Sequence, residues 1–235
     1  MGEVQLEFTD RRGGVSVEPY AELNLGDGVG DGPAAVAENR RRLAVRQASP
    51  ISTFAWMGQR HGADVAVLDR PVAGPVPGVD ALVTATPGLW LTVLVADCAP
   101  VLLADRTAGT VAAVHAGRRG LVAGVVPAAV AAMVGRGATP DRIEALIGPA
   151  IGGCCYEVSA DLAAVVALLV PAAAARTRQG RPAVDLRAGL HAQLVGAGVD
   201  TVRHDRRCTV ECAELYSYRR DGVTGRFAGL VRLAP

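Results

Sequence analysis

The chain has 235 residues and half of them are hydrophobic, so it can bury a sizeable core. Its formal net charge of +1 provides no electrostatic footprint for nucleic acid or an anionic membrane. All 24 basic residues are arginine, which excludes a Schiff base and a phosphate-loop lysine and leaves Arg or backbone N–H groups to hold any anion.

In chain order, Val4–Phe8 alternates like a strand, and residues 24–33 form a Gly/Asp loop that opens on Asn24. Pro33 then starts a helix running to Val45, with Ala, Val and Leu on one face. Phe54–Met57 and Val65–Leu68 read as short strands, and residues 71–77 as a Pro/Gly loop. Residues 81–84, 90–96 and 111–115 are apolar runs bounded by Gly, Pro or Asp, which marks buried strands. Residues 100–104 fit a strand or a first helical turn. Residues 120–134 are small and apolar at helical spacing and predict one buried helix. A strand over 143–147 follows, then the loop GPAIGGCCYEV, a helix from Ser159 to Leu169 and another over 186–197. Strands over 199–203 and 227–233 close the chain. Buried strands mixed with helices predict an α/β (α+β) layered fold in a single domain spanning 1–235.

The five cysteines, Cys98, Cys154, Cys155, Cys208 and Cys212, are odd in number and two are adjacent, which is a poor disulfide framework. The N-terminal residues lack an apolar signal core, and Leu6 stands where a myristoylation signal needs Ser or Thr after Gly2. The stretch 89–103 is interrupted by Asp97 and Pro100, and the stretch 162–175 by Pro171, so neither reads as a membrane span. A soluble cytoplasmic protein with free thiols is the expectation.

Only four histidines occur, His61, His115, His191 and His204. His61 and His115 sit at abrupt ends of apolar strands followed by Gly or Ala-Gly, and Cys98 ends a similar run. Two His and one Cys suit zinc, leaving an open position for water or substrate, as in catalytic sites. The competing reading is that the histidines cap strands and Cys98 fills the core. Asp80, just before a strand, is a candidate general acid/base, whereas Asp97 reads as a turn residue. Gln59 stands two residues before His61. Arg219, Arg220 and Arg226 surround a DG turn, and with Arg118 and Arg119 are candidates for an anion or a purine. Cys154 and Cys155 read as buried residues of a Gly-rich loop. Cys208 and Cys212 hint only weakly at a second metal, and His191 reads as structural.

Segments across nearly the whole chain, in order, resemble one family: NLGDGVGDGPAAVAENRRRL, GQRHGADV, VDALVTATPG, LTVLVADCAPVLLAD, VAAVHAGRRGL, IGPAIGGCCYEV and CTVECAELYSYRRDGVTGR. It is variously named multicopper polyphenol oxidoreductase (laccase domain), peptidoglycan editing factor, and purine nucleoside phosphorylase/adenosine deaminase. The resemblance implies a mixed-sheet sandwich related to the Cys-His toxin deamidases and a zinc site at His61, Cys98 and His115. One departure is Arg118, where the family usually has Trp after His-Ala-Gly. Several coppers would need His-rich, often His-x-His, ligation, which four histidines without such a pair do not supply. The expectation is therefore a zinc-dependent purine nucleoside enzyme, with Cu2+ as a competing metal and phosphate and a nucleoside as small-molecule partners. Cys98, His115, His61 and Asp80 would be catalytic, with Asp80 shuttling protons. Asn24, Gln59, Arg219 and Arg220 would bind substrate. Alternatives are a Cys-His hydrolase of a peptidoglycan-precursor amide, with Cys98 as nucleophile and His115 as its base, a copper-dependent polyphenol oxidase, and a non-catalytic nucleotide-binding protein.

Overall fold

The computed structural model describes residues 3–235; Met1 and Gly2, and with them the reading of Gly2, lie outside the described residues. The elements in order are β1 (Val4–Phe8), α1 (Pro33–Arg46), β2 (Phe54–Gly58), β3 (Val65–Leu68), β4 (Pro75–Pro77), β5 (Ala81–Thr84), β6 (Trp90–Val95), β7 (Ala99–Asp105), β8 (Thr110–Ala116), α2 (Arg118–Ala123) and α3 (Val125–Val134). They continue with β9 (Glu144–Ile147), α4 (Ala160–Leu169), β10 (Ala174–Arg176), β11 (Pro182–Val184), α5 (Leu186–Gly196), β12 (Thr201–His204), α6 (Tyr218–Asp221) and β13 (Phe227–Leu233).

Two mixed sheets stack face to face. One has the order β1-β13-β6-β2-β4 and the other β12-β9-β7-β8-β5-β3. Between them lies an apolar layer that includes Met57, Leu91, Val93, Leu102, Ala113, Phe227 and Val231. The outer face of the six-stranded sheet is covered by α2, α3 and α5 through residues such as Val101, Leu103, Leu121, Val126 and Leu190. On the outer face of the other sheet, Leu43 and Ala44 of α1 meet Phe54, Trp56, Trp90 and Leu230. The result is a helix–sheet–sheet–helix sandwich of the mixed α/β class. Every residue of β7 and β8 is buried because both faces of these strands are covered, which is why they read as continuous apolar runs rather than alternating ones.

Local signals explain most boundaries. Pro33 occupies the first turn of α1, where its missing N–H costs nothing. Ser159 and Asp185 cap α4 and α5, their side chains accepting from the N–H of Leu162 and Ala188. Two expectations change and one open alternative is resolved. The helix expected over 120–134 is two, because Gly124 adopts φ +78° and breaks the ladder between α2 and α3. The Pro/Gly loop ends in β4, which pairs with β2 in parallel at the sheet edge, where proline is tolerated. Residues 100–104 lie in β7 and form no helical turn. The β10–β11 pair and the one-turn α6 lie in segments too short to show periodicity. None of the helices among the described residues is long and apolar enough to cross a membrane.

Leu102 is fully buried between the sheets, whereas Leu168 on α4 is 82% exposed. Leu102→Ala should therefore lower unfolding stability by about 2–5 kcal/mol, while Leu168→Ala should stay within about 0.5 kcal/mol of the parent. Urea titration followed by circular dichroism checks both; equal effects would contradict the layer assignment.

Candidate metal and substrate site

The site forms where the chain passes from one sheet to the other. β6 belongs to the five-stranded sheet and β7 to the six-stranded one, and the three residues between them are Ala96, Asp97 and Cys98. Asp97 makes the crossing at φ +94°. Its carboxylate accepts from Thr209 Oγ1 at 2.6 Å, Ser217 Oγ at 2.7 Å and the Arg219 N–H at 2.6 Å, tying the C-terminal segment to the base of the site. The turn role expected of Asp97 holds, with this cross-link added.

His115 lies on β8 opposite Pro100 of β7, which brings it beside Cys98. His61 arrives from the loop after β2. The N–H groups of Arg60, His61 and Gly62 converge on the Asp80 carboxylate at 3.1, 2.9 and 2.7 Å, and this nest holds His61 at φ +63°. Asp80 also accepts from His115 Nδ1 at 2.8 Å, and its main-chain oxygen accepts the His115 N–H at 2.7 Å. The ligand atoms of His61, Cys98 and His115 lie within 4.8 Å of one another. The two imidazole rings meet edge to face with centroids 4.7 Å apart. His115 is buried, Cys98 half-buried and His61 exposed, so the set opens to solvent on one side.

The electrostatics follow from this packing. Burial by itself raises the Cys98 thiol, but the charge and hydrogen bonds of His115 and His61 outweigh it and bring it down to about 6. Burial works against a charged His115, but Cys98 and Asp80 overcome it and push His115 up to about 9. Burial likewise opposes a charged Asp80, yet hydrogen bonds from His115 and the Gly62 and His61 backbone hold its carboxyl well below the usual carboxylate range. Both shifts favour a thiolate–imidazolium pair backed by a carboxylate in the metal-free site.

A cleft of about 450 Å³ stands over these residues, within the size range of small-molecule sites. Gln59, His61, Cys98, His115 and Arg219 line it, together with Leu94, Val95, Ile151, Leu186, Tyr156, Tyr218 and Arg226. Gln59 faces the cleft, but its amide makes paired hydrogen bonds with the Leu94 backbone at 2.8 and 2.9 Å. Asp80 is fully buried behind His115 and is not part of the lining, so a proton shuttle to substrate does not suit its position. Asn24 is also fully buried. Its Oδ1 accepts from the N–H groups of Gly26 and Arg226, and its Nδ2 donates to Gly26 O and Asp31. It places Arg226 rather than touching the cleft. Arg220 donates to the carbonyls of Thr209, Cys212 and Leu215 and pairs with Asp221, which leaves it folded into its own segment. The substrate contacts expected of Asn24 and Arg220 are thus not where these side chains point. Tyr156 and Tyr218 are lining residues that sequence patterns did not single out, although both stand beside segments that did, CCYEV and SYRRDG. Arg118 opens α2 next to Tyr156.

The fold and this site define a cleft protein built around one open His/Cys/His donor set. The chain belongs to the multi-copper polyphenol oxidoreductase laccase family, whose sequence model matches residues 5–234. A Streptomyces coelicolor protein named purine nucleoside phosphorylase is 57% identical over 227 residues, covering 96% of this chain and 94% of that relative. A Mycobacterium tuberculosis protein of the same name is 50% identical over 223 residues, covering 95% and 89%. Among solved structures, YlmD from Geobacillus stearothermophilus superposes with a TM-score of 0.93 at 34% identity over 99% of this chain and 92% of that one. A Neisseria meningitidis protein superposes with a TM-score of 0.89 at 37% identity over 99% and 95%.

The donor chemistry decides which metal content fits. The four histidines form two separate pairs, His61 with His115 and His191 with His204, the latter joined at 2.9 Å. Two imidazoles and one thiolate suit a single borderline-soft ion, whereas a polynuclear copper cluster needs more histidine in one place. Gly117 makes the set possible. A Cβ there would lie 2.8 Å from Cys98 Sγ and 2.9 Å from His61 Cδ2. Gly117→Ala should reduce bound metal sharply with little change in secondary structure, read by inductively coupled plasma mass spectrometry alongside circular dichroism; unchanged metal content would refute the packing argument. In metal-stripped protein, alkylation of Cys98 by iodoacetamide should rise as pH increases through about 6, not through the ordinary thiol value near 9. Peptide mass spectrometry across pH 4–10 measures the midpoint.

Proposed function

We propose that this protein is a zinc-dependent purine nucleoside enzyme that phosphorolyses adenosine, inosine or methylthioadenosine and deaminates adenosine. The observation that carries the reading is the open His61/Cys98/His115 set at the floor of a cleft that offers both aromatic faces and cations. The relatives' name, purine nucleoside phosphorylase, supports it. His61, Cys98 and His115 would hold the metal, which when bound supplies Lewis-acid polarisation of an oxygen.

The chain's own groups account for binding. The purine is taken between the apolar wall of Leu94, Val95 and Ile151 and the ring faces of Tyr156 and Tyr218. Arg219, whose guanidinium lies 5.1 Å from the Tyr156 ring centre, and Arg226 hold phosphate in the absence of any lysine. In phosphorolysis a phosphate oxygen bonds to ribose C1′ as the C1′–N bond breaks, and the base leaves with the proton that the hydrogen phosphate gives up. In deamination a water oxygen bonds to C6, the C6–N6 bond breaks, and the water's two protons end on the departing ammonia and on N1. Asp80 acts through His115 as a positioning residue, keeping the proton on Nδ1 so that Nε2 faces Cys98.

A specific observation favours a second reading. The His115 ring between the Cys98 thiol and the buried Asp80 carboxylate is the arrangement in which the three would serve as nucleophile, base and orienting carboxylate of a thiol hydrolase. There the Cys98 sulfur would attack a cell-wall-precursor amide carbon. His115 would give its proton to the departing amine, and water would then cleave the thioester. Metal-quantified protein incubated with adenosine or inosine, with and without phosphate and chelator, separates the two. Phosphate-dependent release of adenine or hypoxanthine, and inosine from adenosine, should appear only in the metal-loaded, chelator-free samples. Absence of nucleoside turnover at near-stoichiometric metal would overturn the proposal, and amide hydrolysis that survives chelation would establish the second reading.

A further inference from the structure

A second donor cluster lies outside the cleft and plays no part in the proposed chemistry. Cys154, Cys155, Cys208 and Glu211 bring their ligand atoms within 4.8 Å of one another. The residues come from two segments about fifty positions apart, the loop after β9 and the turn after β12, joined by a bridge between Ala150 and Cys208. The Cys154 and Cys155 sulfurs are 3.3 Å apart, and the Gly152 N–H donates to Cys208 Sγ at 3.2 Å. The Glu211 N–H bonds to the Cys208 carbonyl at 3.1 Å, a tight turn that sets Cys208 and Glu211 on the same side. Gly152 leaves the room, since a Cβ there would sit 3.0 Å from Cys154 Sγ and 3.5 Å from Cys208 Sγ.

We propose that Cys154, Cys155, Cys208 and Glu211 form a second, structural metal site for a thiophilic divalent cation, zinc. Three thiolates and one carboxylate complete a tetrahedron with no open position, which distinguishes this site from the His/Cys/His set. Zn–S bonds of about 2.3 Å in a tetrahedron place sulfurs about 3.8 Å apart, so Cys154 and Cys155 need to part by only a few tenths of an ångström. A backbone N–H donating to a ligand sulfur and an Arg178 guanidinium paired with Glu211 supply the surrounding shell that such sites need. The cysteines expected to be plain loop filler, and the weak hint at Cys208, thus combine into one site, with Cys212 outside it.

The site's place in the fold gives it a task. Cys155 precedes Tyr156, a cleft residue, and Cys208 precedes Thr209, which bonds to Asp97 at 2.6 Å and receives Arg220 at 2.8 Å. A cation here staples the loop that carries the cleft residues Ile151 and Tyr156 to the turn that Thr209 ties to Asp97, independently of what the cleft catalyses.

The test uses the full chain with the first site removed. His61→Ala/Cys98→Ala protein, reduced and reconstituted, should retain about one zinc per chain against about two in the parent. With cobalt in place of zinc it should show the intense sulfur-to-cobalt absorption of several thiolates. Adding Cys208→Ser should abolish that absorption. The unmutated chain provides a second readout that does not depend on how the triple variant folds: zinc should shield Cys154, Cys155 and Cys208 together from iodoacetamide, with Cys212 as the reactive internal control. A folded double variant that retains no zinc or cobalt would overturn the proposal. So would zinc protection confined to Cys98, or isolation of two of the three cysteines as a disulfide that persists when zinc is added under reducing conditions.

Discussion

The Asp80 carboxylate is the interaction on which the site depends. A buried charge of this kind costs several kcal/mol unless hydrogen bonds replace its water. Here three consecutive backbone N–H groups and an imidazole N–H do so. Those donors come from the loop after β2 in one sheet and from β8 in the other, so neutralising one carboxylate joins the two sheets at the point where the site forms. The same bonds force His61 into left-handed backbone and set the tautomer of His115. Without the carboxylate, three N–H groups would be left unpaired, and neither histidine would have a reason to face Cys98.

Asp97 plays the complementary part on the other side of the cleft. Its neighbour Cys98 is the first residue past the crossing between sheets, and its own oxygens gather Thr209, Ser217 and Arg219. The floor of the cleft is thus built from strand ends, and its wall from a C-terminal segment with little regular structure of its own. Rigid strands place the groups that need accurate geometry, and loops with the one-turn α6 supply the tyrosines and arginines that line the cleft.

Much of this was legible in the sequence for a physical reason. Strands covered on both faces leave continuous apolar runs, so β5, β6 and β8 stood out, and His115 and Cys98 stood out as the polar residues that end or interrupt such runs. Gly124 and β4 were not legible, because a glycine inside an apolar helical pattern is compatible with either continuation or a break, and a three-residue proline-bearing edge strand has no period to detect. Asn24, Asp80 and Arg220 show a different limit. Each is a polar residue beside a motif, which marks it as important, but sequence does not tell whether its side chain faces a ligand or another part of the chain. In all three cases the hydrogen bonds are internal: Asn24 places Arg226, Asp80 orients His115, and Arg220 binds the C-terminal carbonyls. The thiol cluster was not legible as one group because its halves lie about fifty residues apart and meet through tertiary contacts, among them the pairing of Ala150 with Cys208 and the Gly152 N–H on Cys208 Sγ.

The two chemistries available to the cleft are a competition for one position. The Cys98 thiolate needs a positive charge beside it, and a proton on His115 Nε2 or a metal ion between the three donors can each supply it. Asp80 favours both, since its hydrogen bond to Nδ1 stabilises an imidazolium and equally fixes a neutral imidazole with Nε2 free to ligate. Between pH about 6 and about 9 the metal-free pair holds that proton, so a metal entering in this range must displace it, and binding tightens as pH rises. Little else need change, because the backbone nest already holds His61 at the open side. On the proposed reading, the occupant of that position, proton or metal, would decide whether Cys98 acts as a nucleophile or as a ligand, because the fold preorganises the three donors for either.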